Sequence, residues 1–217
     1  MTIASRRAQP DVGKVIMVPA AAVMLTFDLT TLIHGSAAAG AAGALGSLGM
    51  LLVGAFYLLM IWCYLRRGPA IATTGSITAR VAAVVATLTP FAIPLLHAAP
   101  PVGGRLYAAD ALLAAGTAWS VWSLRYLGRN LSVFAQAREL VDGGPYRWIR
   151  HPLYAGEIVS SLGLAIYAGT LAAFGVVLVF CALQGYRVLR EEQVLLRALP
   201  RYRSYRDRTA ALFPGLF

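Results

Sequence analysis

Charge is what this chain has least of. Only 13% of its 217 residues are charged, and Asp and Glu together number nine. With 59% hydrophobic residues and a mean hydropathy of +0.67, that share lies far from the composition of soluble domains and excludes a water-soluble globular fold. Cysteine is nearly absent too: Cys63 and Cys181 stand at no metal-ligand spacing inside apolar runs, so they read as inert buried thiols, and no metal is expected. The first fifteen residues lack the small-residue cleavage site of a secretory signal, which makes the first apolar run a retained helix. No internal repeat and few polar residues within the apolar runs argue against a transporter built from paired halves.

What is abundant is long apolar sequence. A bilayer core of roughly 30 Å takes about 20 apolar residues per helix. Windows of that kind fall near residues 15–34, 44–65, 78–98, 106–126, 152–168 and 170–188. The last two are short and joined by almost nothing, which predicts a tight helical hairpin that spans. The fold expected is all-α, a polytopic transmembrane bundle of about six helices. Residues 1–14 would form a cytoplasmic arm, 15–126 the N-terminal helices, and 127–217 a catalytic region of connector, hairpin and helical tail.

The 19 basic residues test that count, because short cytoplasmic loops collect Lys and Arg. With six spans, all but Arg105 sort to one side, so both termini are expected in the cytoplasm. A net charge of +10 so strictly sided is explained by membrane orientation and anionic lipid headgroups, and no nucleic-acid partner is expected.

Residues 35–54 are rich in Gly, Ala and Ser, a composition that lets the first two helices approach closely. Asp28, in the body of the first span, is either a cavity residue or one half of a structural pair. His34, His97 and Asp110 lie near outer ends of spans and are assigned no chemistry.

Polar chemistry concentrates in the C-terminal half. The connector, residues 127–151, is longer than a bundle needs. It ends in "GGPYRWIRHPLYAGEIV", where Gly143 and Gly144 permit a turn, His151 falls at an N-cap and Pro152 at the first position of a helix. Unpaired N–H groups there favour a carboxylate, and Arg150, Tyr146 and Tyr154 add donors. The same composition also suits an interfacial anchor. A second cluster, Arg187, Arg190, Glu191 and Glu192, lies where the sixth helix leaves the membrane. Arg187 and Glu191 share a helix face, either as a structural ion pair or as an anion and a cation offered to an amino-acid-like ligand and an acidic substrate head.

The runs "LVDGGPYRWIRHPLYAGEI" (140–158) and "REEQVLLRALPRYRSYRDR" (190–208), with "FPGLF" near the end, resemble the isoprenylcysteine carboxyl methyltransferase family and its bacterial relatives, and share a pattern with phospholipid methyltransferases. The resemblance covers roughly residues 110–217. It implies a membrane enzyme using S-adenosylmethionine on a lipophilic small molecule, in a bacterial inner membrane. It further implies that Arg138, Glu139, Leu140, Val141, Tyr146, Arg150, His151, Pro152, Leu153, Tyr154 and Glu191 hold the cofactor. Arg187 matches the residue facing the methyl acceptor, Glu192 is placed with it toward the substrate, and Tyr202 and Tyr205 support. Arg187 and Glu191 are the expected catalytic pair.

Two departures bear on the acceptor. Glu157 stands where the eukaryotic prenylcysteine enzymes carry a large apolar residue and membrane sterol reductases an acid, and "LPRY" replaces a glycine and acidic residues. A carboxylate acceptor needs no general base and would be oriented by Arg187, whereas an amine makes Glu191 or Glu192 a plausible base. Sterol-type reductases using NADPH share the arginine-histidine-proline-x-tyrosine pattern, but "REEQ" and the short chain favour the methyltransferase.

Overall fold

The computed structural model describes residues 11–34, 41–96 and 101–213. Most of the expected arm, His97 and residues 214–217 of "FPGLF" lie outside them.

Among the described residues, six long helical segments alternate between two ends of a bundle. They are α1 (Val12–His34), α2 (Ala41–Arg66), α3 (Ile77–Leu88), α4 (Gly104–Leu127), α5 (Pro152–Ala168) and α6 (Leu171–Ala198). A five-residue α7 (Tyr202–Arg206) follows. Helix α1 begins at Val12, so Lys14 lies inside it rather than in an arm. The third apolar window is not α-helical throughout: beyond Leu88, Thr89–Leu96 winds as a 3-10 helix. Pro90 and Pro94 lack the N–H that an α-helix would use there.

Among the described residues, four segments are long and apolar enough to cross a membrane, namely Val12–His34, Gly43–Arg66, Ile77–Leu96 and Leu171–Ala198. The protein is an integral membrane protein. Helices α4 and α5 occupy the other two expected windows but do not qualify by length and apolarity. The 17 residues of α5 span about 26 Å, short of a hydrocarbon core of about 30 Å, and α4 carries Arg105, Asp110 and Arg125. Large apolar side chains point outward over much of the bundle, among them Leu95, Leu171 and Leu178. Lipid rather than water suits such a surface.

Small residues set the closest helix contact, and it joins α4 to α5. A Cβ on Gly116 would come within 2.5 Å of the Ser160 nitrogen and 2.7 Å of the Gly156 carbonyl; one on Gly163 would meet the Ala109 carbonyl at 2.8 Å. The Gly/Ala-rich start of α2 makes looser contacts, Gly54 facing Asp28 and Gly46 and Gly49 facing α4. Composition alone shows small residues without showing which neighbour they admit.

The hairpin turn works as its sequence suggests. Gly169 closes α5 at φ +69°, in the left-handed region that favours glycine, and Thr170 caps α6 by accepting from the Ala173 N–H. The Thr170 hydroxyl also donates to the Leu96 carbonyl at 2.9 Å, tying the hairpin to the end of the third segment.

The opposite end gathers the polar loops. A two-stranded antiparallel sheet pairs β1 (Ala72–Thr73) with β2 (Gln136–Ala137), so the connector is bonded to the α2–α3 loop. Arg67 donates to both Asp11 and the Leu131 carbonyl, and its guanidinium lies 4.3 Å from the Tyr64 ring. Burial alone would raise the Asp11 carboxyl, but the Arg67 hydrogen bond, the Lys14 N–H and the Arg67 charge together hold it below its ordinary value of 3.8. A depressed carboxylate stabilises the fold fully above the unfolded value and loses that contribution as pH falls through the folded one. Acid unfolding in detergent is therefore expected to show a decline below about pH 4 that Asp11→Asn lacks, read by tryptophan fluorescence.

Candidate active site

The connector and the tail are fastened to each other at the start of α5. Arg150 and His151 donate their backbone N–H groups to the carbonyls of Ala210 and Ala211, at 2.8 and 3.0 Å. The Arg150 side chain donates to Glu192 at 2.6 Å, to the Arg206 carbonyl at 3.0 Å and to the Thr209 carbonyl. The Tyr205 hydroxyl donates to the Tyr146 carbonyl at 2.6 Å, and Trp119 of α4 donates to the Pro152 carbonyl at 2.9 Å. His151 is the N-cap of α5 and Pro152 its first residue, as the sequence predicts.

Beneath this closure lies a cavity of about 1130 Å³ that runs along the bundle between α1, α2, the third segment and the α5–α6 hairpin. Its wall is mostly apolar, and the polar side chains collect at the connector end. Arg138, Glu139, Leu140, Val141, Tyr146, Arg150, His151, Leu153, Tyr154, Arg187 and Glu191 all line it. Pro152 and Glu192 do not: Pro152 begins the helix, and Glu192 is held by Arg150 beside the wall. Tyr202 and Tyr205 line it as well, while Glu139 also pairs with Arg129 at 3.1 Å on the surface.

Within this end, His151 stacks on Tyr154, ring centroids 5.6 Å apart and planes 6° from parallel. Its Nδ1 lies 3.7 Å from Glu191, and its Nε2 is buried, 3.6 Å from Glu192 and without a hydrogen-bond partner among the described residues. The Tyr154 hydroxyl donates to Glu191. Arg187 lies over the other part of this group, 4.5 Å from the Tyr154 ring. Among the described residues it forms no ion pair with Glu191; Tyr154 stands between them, bonding the anion with its hydroxyl and facing the cation with its ring. Arg187 instead donates to Gln184 at 3.0 Å and to the Val133 carbonyl at 3.3 Å.

Outside the spans, burial pushes the Tyr146 and Tyr202 phenols well above their ordinary range, so both remain neutral donors. Burial, and then the neighbouring Arg67, lowers Arg138, whose Nε donates to the Gly68 carbonyl at 3.1 Å. Arg138 Nη1, Arg187 Nε and the Tyr202 hydroxyl are buried without partners among the described residues. So is Asp28 Oδ2, deeper in the same cavity. Asp28 is thus a cavity residue, and no pairing partner for it appears among the described residues.

Three residues matter that the motifs do not point to. Gln184 is fully buried, and its amide joins Arg187 to Glu157, donating to the latter at 2.6 Å. Its position three residues before Arg187, on the same helix face, is the available signal. Ser160 and Ser161 line the cavity from α5, where small polar residues at helical spacing look like packing alone.

Residues 105–201 match the family model for phospholipid methyltransferase. Among curated proteins, the cobalt-zinc-cadmium resistance protein CzcN of Cupriavidus metallidurans is 40% identical over 78 residues, 36% of each chain. The nickel-cobalt-cadmium resistance protein NccN of Alcaligenes xylosoxydans xylosoxydans is 34% identical over 101 residues. That match covers 46% of this chain and 45% of the relative, so both alignments span less than half of the relatives' lengths. Among solved structures, the eukaryotic intramembrane Ras methyltransferase ICMT (isoprenylcysteine carboxyl methyltransferase) aligns at 18% identity and a TM-score of 0.46. That alignment covers 96% of this chain and 87% of that one.

Proposed function

Because residues 105–201 match the family model for phospholipid methyltransferase, we propose that this chain is an S-adenosylmethionine-dependent methyltransferase acting on a lipophilic small molecule at the membrane boundary. One observation carries the reading: buried polar atoms without partners, Arg138 Nη1, His151 Nε2 and the Tyr202 hydroxyl, face one end of an otherwise apolar cavity beside the Glu191 carboxylate. Buried polar atoms are rarely left unmatched, and these match an amino-acid tail in kind. Arg138, His151 and the first-turn N–H groups of α5 would take its carboxylate, and Glu191 its ammonium group. The donor set fits.

When bound, the cofactor supplies an electrophilic methyl group on a sulfonium. The protein's part is positioning, which in favourable cases is worth roughly 7–11 kcal/mol. Tyr154 and Arg187 form a rigid wall, with the guanidinium held from three sides, and so fix where the acceptor's reacting atom sits. Leu153, Phe134 and Leu195 keep water from it. The apolar cavity below admits a lipophilic body, while the connector end admits a polar ligand. Arg67, Arg138 and the tail's arginines share this end with Asp11, which supports an orientation with both termini in the cytoplasm, and by that orientation a bacterial inner membrane.

Calorimetric titration of S-adenosylhomocysteine into detergent-purified protein tests the reading, with NADPH as the competing ligand. Micromolar binding of S-adenosylhomocysteine is the expected result. Silence with S-adenosylhomocysteine and binding of NADPH would replace it with a reductase, and silence with both with a non-enzymatic membrane protein.

A further inference from the structure

The chain of polar contacts behind Arg187 bears on what the enzyme methylates. Arg187 is buried, and each of its terminal nitrogens already donates to a neutral oxygen, Nη1 to Gln184 Oε1 and Nη2 to the Val133 carbonyl. The guanidinium face is covered by Tyr154. Nε is the buried N–H left without a partner among the described residues. Gln184 turns its amide so that its oxygen meets Arg187 and its nitrogen meets Glu157 Oε2, at 2.6 Å. The reverse orientation would set oxygen against carboxylate and N–H against guanidinium. Glu157 is therefore a carboxylate linked to Arg187 by hydrogen bonds through Gln184, and Glu191 is a second one nearby, held by the Tyr154 hydroxyl.

That balance has a chemical consequence. A carboxylate acceptor is best bound by a guanidinium with its donor fork free. Here both terminal nitrogens already donate once, and the charge is answered from within the protein. Adding a second anion would leave one buried negative charge uncompensated, which is costly in a low-dielectric site. A neutral oxygen, sulfur or nitrogen needs only one donor, and Nε supplies one. Glu157 lies three residues after Tyr154 on α5, lines the same cavity, and has Oε1 without a hydrogen-bond partner among the described residues.

Resting on the methyltransferase reading, we infer that the acceptor is a neutral lipophilic group bearing a removable proton, a hydroxyl, thiol or uncharged amine, and that Glu157 receives that proton. The acceptor's lone pair forms the new bond to the methyl carbon. The carbon–sulfur bond breaks with its electron pair left on sulfur, converting the sulfonium to a neutral thioether. The acceptor's proton moves to the Glu157 carboxylate and from there to water, so charge and atoms balance.

The test is scintillation-proximity binding of tritiated dodecanoate and dodecanethiol to the full chain in nanodiscs. In the wild type, dodecanoate is expected to bind at least 10-fold more weakly than the thiol. Glu157→Gln, which removes the charge and keeps the shape, should raise dodecanoate affinity at least 10-fold, whereas Glu157→Asp should leave it weak. Dodecanoate binding to the wild type as tightly as the thiol, or a ratio unmoved by Glu157→Gln, would overturn the inference; the wild-type arm decides even if a variant fails to fold. S-adenosylhomocysteine binding in the same nanodiscs reports separately on the methyltransferase reading.

Discussion

Glu191→Ala is expected to weaken S-adenosylhomocysteine binding by about 100-fold or more, about 2.8 kcal/mol at 1.4 kcal/mol per decade. Two losses combine. The connector end of the cavity loses the carboxylate assigned to the ligand's ammonium group, and charge-assisted hydrogen bonds are among the stronger ones. The Tyr154 hydroxyl also loses its acceptor, leaving a buried donor unsatisfied beside the site. Glu192→Gln is the informative comparison. Glu192 is held by Arg150, lies 3.6 Å from His151 and does not line the cavity, so its loss should reach the ligand only indirectly, through Arg150 and His151, and cost no more than about 10-fold. Equal effects from the two glutamates, measured by calorimetry on variants with wild-type melting temperatures, would show that Glu191 touches no ligand.

The second large effect concerns assembly. Gly156→Val should lower the melting temperature in detergent by about 10 °C or prevent recovery of monodisperse protein, as expected when overpacking costs about 3 kcal/mol or more. A Cβ on Gly156 would lie 2.8 Å from the Gly116 carbonyl and 3.0 Å from the Ser120 nitrogen, both backbone atoms of α4 that cannot turn aside. Gly175→Val is the matched control, since nothing lies within 4 Å of a Cβ there. Scanning fluorimetry and size exclusion on the pair separate a packing requirement from a general intolerance of valine. A Gly156→Val protein as stable as the control would mean that α4 and α5 can part without loss.

How much of this was legible follows from how local each signal is. His151 and Pro152 at the start of α5, the tight turn of the hairpin and the continuation of α6 beyond the membrane all obey rules that act within a few residues and are legible in the sequence. The 3-10 end of the third segment was equally local, and Pro90 and Pro94 marked it; an apolarity window does not see backbone donors. The small-residue seam was assigned to α1 and α2 because glycine content identifies a close approach but not its partner. The β1–β2 pairing and the bond from residues 150–151 to 210–211 join segments far apart in the chain, and no pattern within either predicts the other. Glu192 shows a finer limit. It follows Glu191 directly, but adjacent helix positions point about 100° apart, and that turn puts Glu191 on the cavity and Glu192 on Arg150. Gln184 escaped because its importance comes from its two partners rather than from a motif.

The strap formed by residues 209–211 sets an order of events during synthesis. The N–H groups of Arg150 and His151 and the Arg150 guanidinium find their acceptors on residues some sixty positions later in the chain. Until those later residues are made and folded back, the N–H groups at the start of α5 have no acceptors and the polar end of the cavity lacks its closing contacts. Closure of that end is therefore the last step of folding, and a released chain cut after residue 208 is expected to keep its helices while losing the acceptors of the Arg150 and His151 N–H groups.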